Sequence, residues 1–132
     1  MGFIEVTDQE MLEQRIHERF RAKDGAFAVI KDQSKPTIGQ IIDISKGGLA
    51  FKYLANGVVV KGNNKLDIFF SGQGIQLKDI SFQTVCDFEL KSPLSFSSIK
   101  MRRGCLQFMD LKENHEIQLT HFIKVYTFIN MN

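Results

Sequence analysis

Along this 132-residue chain the spacing of apolar positions changes twice. Residues 7–20, TDQEMLEQRIHERF, begin with Thr7 or Asp8 as a helix cap and carry acidic residues in the first turn, which predicts a short N-terminal helix. From Lys23 the period shortens. GAFAVI, TIGQIIDIS, GLAFKYL and KLDIFF are β-branched or aromatic runs set between turn signals such as Pro36, Asn56-Gly57 and Gly62-Asn63-Asn64. In ISFQTVCDFEL the alternation predicts one side made of Phe82, Thr84, Cys86 and Phe88, and another of Ser81, Gln83, Val85 and Asp87. SFSSIKMRRGCLQFMDL holds the last strand or two. The period then lengthens. Leu119, Phe122, Ile123, Val125, Tyr126 and Ile129 make the apolar stripe of an amphipathic helix, with Ile117 and Phe128 on its other side. No helix interrupts the strands, which argues against a parallel βαβ arrangement. The layout predicts an all-β core of about six or seven strands, a small barrel or sandwich, flanked by a short N-terminal helix and a C-terminal helix.

Composition narrows the partners. Hydrophobic residues make up 43% and charged residues 24%, an ordinary globular balance, and a length of 132 residues suits one domain. A net charge of +2 is too small for wholesale binding to a nucleic-acid backbone, but it leaves room for a local anion site. Cys86 and Cys105 form no CxxC pair and no zinc spacing, so both read as small buried hydrophobes. MGFIEVTDQE has no basic n-region, and Val6 stands where a myristoylation signal needs Ser or Thr. No run approaches the roughly 18 apolar residues of a membrane span, so the expected compartment is the cytoplasm, without membrane insertion.

Two short stretches carry candidate chemistry. Arg15, Arg19 and Arg21 crowd three guanidiniums into one segment, where they require solvent or an anion. On a helix, Glu13 and Glu18 would balance Arg15 and Arg19 as a solvated face. In IIDISKGGLAF, Asp43 and Ser45 suit a tight hairpin as acceptors for backbone amides, and Gly47 and Gly48 suit it as positive-φ positions. Asp43 and Ser45 have no histidine at triad spacing, and no paired-carboxylate or metal constellation stands out, so the chain reads as no enzyme. His115 and His121 read as surface residues of the helix, and Arg102-Arg103 as an exposed strand end, with the alternative that one of the two extends a basic rim.

The two stretches together resemble the PilZ domain family. Arg15-Ile16-His17-Glu18-Arg19 is similar to its RxxxR motif, and Asp43-Ile44-Ser45-Lys46-Gly47-Gly48 to its D/NxSxxG motif, with Gly48 as the closing glycine. RRGCLQFMDLKENHEIQLTHFI resembles the family's last strand and following helix. The resemblance implies a six-stranded antiparallel PilZ-type β-barrel over the whole chain, 1–132. Residues 1–22 would be an N-terminal segment, 23–110 the barrel and 111–130 the C-terminal helix. It also implies a ligand, cyclic di-GMP, and no cofactor or metal. A guanidinium fork matches guanine O6 and N7, or phosphate oxygens, in a bidentate way. The residues carried over are Arg15, Arg19, Asp43, Ser45 and Gly48. Asp43, helped by Ser45, would accept from guanine N1–H and N2–H₂, and Gly48 would let the ligand approach the backbone. Gln14, His17, Arg21 and Gly47 are further candidates. Family members commonly carry a basic residue directly before the first motif arginine. Here it is Gln14, which leaves one or two nucleotides per site open. The implied function is a receptor, with no DNA partner, that signals through an effector protein and is a candidate homodimer. Two other readings stand beside it: a PilZ-like pilus or motility adaptor that binds protein alone, and a small barrel that binds single-stranded nucleic acid.

Overall fold

The structure is a computed structural model that describes residues 17–31, 36–54, 65–90 and 100–128. In order, these residues form β1 (Phe20–Ala22), β2 (Ala26–Lys31), β3 (Thr37–Ile44), β4 (Gly48–Leu54), β5 (Lys65–Phe70), β6 (Gly74–Leu90), β7 (Met101–Met109), α1 (Glu113–Tyr126) and β8 (Thr127–Phe128). The expected N-terminal helix lies almost wholly outside the described residues.

Six strands close on themselves. They run β2-β5-β6-β7-β4-β3, and β3 returns to β2, with every pairing antiparallel. The barrel with one C-terminal helix matches the expectation. β1 pairs with β3 beyond a short turn after Ala22, and β8 pairs with the outer edge of β1.

The pleat sends alternate residues inward, so Ala26, Ala28 and Ile30 of β2 meet Leu49, Phe51 and Tyr53 of β4 in one core with Leu66, Ile68 and Phe82. The Phe51 ring has glycine on both flanking strands. A Cβ added at Gly39 would lie 2.4 Å from Phe51 Cδ2, and one at Gly104 would lie 2.7 Å from Cε1. The glycine in MRRGCLQF is therefore a seat for an aromatic ring.

Three register shifts interrupt β6, two against β5 and one against β7, and two of them place polar or reactive side chains. Leu66 pairs with Ile80 and Ile68 with Leu77, so Lys78 and Asp79 oppose Asp67 alone, and Asp79 adopts φ 58°. Buried Asp67 fits this bulge because its Oδ1 accepts the Asp79 N–H at 2.9 Å and meets Lys31 Nζ at 3.0 Å. Lys31 Nζ also reaches Asp79 Oδ1 at 2.5 Å. Farther along, Thr84 pairs with Leu106 but Cys86 pairs with Cys105, so Val85 is an extra residue. The predicted alternation breaks here. Phe82 and Thr84 face inward, whereas Cys86 and Phe88 face out, and Phe88 is 46% exposed.

Helix α1 buries Leu119, Phe122 and Ile123 on the barrel. His115, expected at the surface, is buried with them. Its Nδ1 accepts the Lys112 N–H at 3.4 Å and its Nε2 lies 2.8 Å from Lys78 O, so the tautomer protonated at Nε2 satisfies both contacts. The helix stops at Tyr126. There Lys23 N–H donates to Tyr126 O at 2.9 Å, and Thr127 Oγ1 donates to Ile123 O at 2.5 Å. Pairing with β1 captures the next two residues as β8, so Phe128 is a strand residue opposite Arg21 and not the far side of a helix. Ile129 lies outside the described residues.

Candidate functional site

The two halves of the arginine and aspartate pattern meet because β1 runs antiparallel to β3. Phe20 stands opposite Ile44 and Arg21 opposite Asp43. This register brings Arg19, just before β1, to the end of β3. Arg19 Nε and NH2 both donate to Asp43 Oδ1, at 2.9 and 2.6 Å. On the other side, Arg103 NH2 lies 3.8 Å from Asp43 Oδ2. One carboxylate thus stands between two guanidiniums, all three only partly shielded from solvent.

The turn after β3 is built by Ser45. Its N–H donates to Gly48 O at 2.8 Å, and its Oγ accepts from the N–H groups of Gly47 at 3.0 Å and Gly48 at 3.2 Å. Phe108 N–H donates to Gly47 O at 2.8 Å, tying the turn to β7. Ser45 is fully buried. Neither Gly47 nor Gly48 has positive φ, contrary to the expectation for this hairpin. Gly48 is needed for a different reason: a Cβ there would lie 2.1 Å from Leu106 O. Its missing side chain makes room for the neighbouring strand. Of Asp43, Ser45 and Gly48, Asp43 alone presents its side chain to solvent, beside the arginines.

Register defines the surface around Asp43, since directly opposed residues share a face. Asp43, Ala50, Cys105 and Cys86 form one outward row across β3, β4, β7 and β6. Gln40, Lys52, Arg103 and Phe88 form the next. The first row supplies a floor of small side chains and the second supplies cations. Beside them Arg21, Asp24, Gln40, Ile42 and Lys52 line a cleft of about 170 Å³. Arg19, Arg21, Lys52 and Arg103 outnumber Asp43 and Asp24, which makes this face suited to an anion.

The remaining candidates are placed as follows. His17 is partly exposed. Arg21 is exposed, its guanidinium carbon 5.9 Å from the centre of the Phe128 ring. Gln14 and Arg15 lie outside the described residues. Arg102 is not an exposed strand end. It turns inward, its Nε 2.5 Å from Asp87 Oδ1, and Tyr53 OH donates to the other oxygen of the same carboxylate. The hydrogen bond to Asp87 raises the Arg102 pKa above its ordinary range. Of the site residues, Lys52 is the one that sequence reasoning missed, and Arg103 stands beside Asp43 as the basic-rim alternative has it. The available signal was alternation: of two consecutive strand arginines, one must face out, and Lys52 shares that face by pairing. Among the described residues no group of three or more His, Cys, Asp or Glu is placed to hold a metal ion, and no helix is long and apolar enough to cross a membrane.

No family model matches the chain. No curated protein matches it in sequence. Solved structures do match in fold. The PilZ domain of Escherichia coli YcgR with c-di-GMP superposes with a TM-score of 0.67 at 14% identity, covering 86% of this chain and 91% of that one. YcgR in complex with c-di-GMP gives 0.62 at 17% identity, covering 84% of this chain and 45% of that one. The K. pneumonia MrkH–c-di-GMP complex gives 0.58 at 15% identity, covering 83% of this chain and 51% of that one. The chain therefore spans about half the length of those two larger proteins. The fold is of the PilZ type.

Proposed function

We propose that this chain, as a single PilZ-like unit over residues 1–132, is a cytoplasmic receptor for cyclic di-GMP that signals through a partner protein and carries out no chemistry of its own. The observation that carries the reading is the Arg19–Asp43–Arg103 group beside a cationic cleft, on a fold shared with c-di-GMP complexes of YcgR and MrkH. Two phosphodiester anions suit the guanidiniums of Arg19 and Arg103, with Arg15 joining from the preceding segment. A guanine edge suits Asp43 Oδ2, which faces Arg103 at 3.8 Å, a separation longer than a hydrogen bond. Gln14, His17 and Arg21 stand near enough in sequence or pairing to complete the contacts. Ser45, Gly47 and Gly48 act by holding Asp43 in place. Contact between the nucleotide and the residues around Arg19 would create the surface read by the effector.

A second reading has its own observation. Arg19 is already neutralised by Asp43, an arrangement that also suits a scaffold in which the pair simply fastens β1 to β3. Calorimetric titration with cyclic di-GMP, with GTP, cyclic di-AMP and single-stranded RNA as controls, separates the two. Saturable binding selective for cyclic di-GMP supports the receptor. No heat with any nucleotide leaves the protein-binding adaptor, and binding of RNA alone leaves the nucleic-acid binder.

A further inference from the structure

We propose that Cys86 and Cys105 are a redox-active pair that closes into a cross-strand disulfide on the outer face of the barrel. The two thiols stand nineteen positions apart in sequence, yet the β6–β7 register sets them directly opposite one another. Directly opposed residues of antiparallel strands share a face, with Cα atoms about 4.5–5.5 Å apart. That range falls inside the separation of about 4.4–6.8 Å that a disulfide spans. The extra residue Val85 is next to Cys86. A bulge adds local twist and leaves one residue outside the ladder, which gives β6 freedom to bring the Cβ atoms to the roughly 3.8 Å that the bond requires.

Exposure sets the order of events. Cys105 is 5% exposed and Cys86 is half-buried, so a reagent enters at Cys86. The oxidant is a low-mass disulfide such as oxidised glutathione. The Cys86 thiolate attacks one sulfur of that disulfide, forming a mixed disulfide and releasing one thiolate. The Cys105 thiolate then attacks the Cys86 sulfur and releases the second. The two protein thiols lose two protons and two electrons, and the small disulfide is reduced to two thiols. A reducing dithiol runs the exchange backward. The bond would pin β6 to β7 at the end of the row that starts with Asp43 and Ala50, where Arg103 and Phe88 flank it.

The test uses the full, folded chain and no nucleotide, so its outcome is independent of the receptor reading. After incubation with oxidised glutathione, alkylation of remaining thiols and intact-mass analysis, the wild type should lose about 2 Da and retain no glutathione. Non-reducing digestion should join the Cys86 and Cys105 peptides, and dithiothreitol should reverse the change. Cys105→Ser should instead stop at a mixed disulfide on Cys86. The proposal is overturned if the wild type keeps glutathione on Cys86, stays unmodified, or forms links only between chains. The wild-type readout decides the matter whether or not the variant folds.

Discussion

Asp43 has both of its carboxylate oxygens near a guanidinium, but unequally: Oδ1 takes two donors from Arg19, whereas Oδ2 has Arg103 at 3.8 Å. This asymmetry makes Arg19 the residue to change. Arg19→Ala should weaken cyclic di-GMP binding by about 2–4 kcal/mol, the scale of losing a charge-assisted contact that leaves its partner behind. Calorimetry checks the loss, and an unchanged circular dichroism spectrum checks that the barrel survives. Gly48 should behave in the opposite way. Its added Cβ would press on Leu106 O, so Gly48→Ala should cost about 1–3 kcal/mol of stability in urea denaturation. Any loss of binding should then follow the loss of folded protein. The sequence made Asp43, Ser45 and Gly48 legible as a unit but not as separate jobs. Polar residues and glycine in a turn look alike in one dimension, whether they face solvent or the next strand.

At the scale of the element, the bulge in β6 shows what periodicity misses. A strand pattern carries a period of two, and one inserted residue reverses every side chain beyond it. That reversal moved Cys86 and Phe88 outward and Asp87 in toward Tyr53, and nothing in ISFQTVCDFEL marks Val85 as the insertion. The strands themselves were legible, and so was the helix up to the point where β1 captures its end. The bulge opposite Asp67 has a measurable charge signature. The hydrogen bond from Lys31 lowers the Asp79 pKa below its ordinary 3.8, and hydrogen bonds to Asp79 and Asp67 raise that of Lys31 above 10.5. A lowered acid stabilises the fold fully above 3.8, and this contribution disappears as the pH falls through the lower, folded value. A raised base stabilises it fully below 10.5, and this contribution disappears as the pH rises through the higher, folded value. Lys31→Met should therefore lower the urea midpoint slightly at neutral pH. The gap from wild type should close at strongly acidic and strongly alkaline pH, as read from denaturation curves across the range.

For the molecule as a whole, many short strands and one terminal helix left a barrel or a sandwich, because a sheet with no covering layer must bury its face on itself or on a second sheet, and the resemblance to the PilZ family pointed to the closed six-stranded barrel. The two-strand clip outside the barrel, β1 with β8, could not be expected in this way. Strand β8 has two residues and β1 three, too short for any pattern to register, and they pair only because the barrel and α1 bring them together. The clip has a consequence for how the gene could be rewired. Arg21 and Phe128 are register partners, which places a residue near the beginning of the described chain about one strand spacing, roughly 4.8 Å, from its end. A circular permutant that joins residues 132 and 1 through a flexible linker, with new termini cut at the exposed Gly72 turn between β5 and β6, should keep the barrel. Its thermal unfolding should remain a single cooperative transition, and its affinity for cyclic di-GMP should match that of the parent. A permutant that folds but has lost affinity would mean that the new link between residues 132 and 1 interferes with nucleotide binding by the arginine segment.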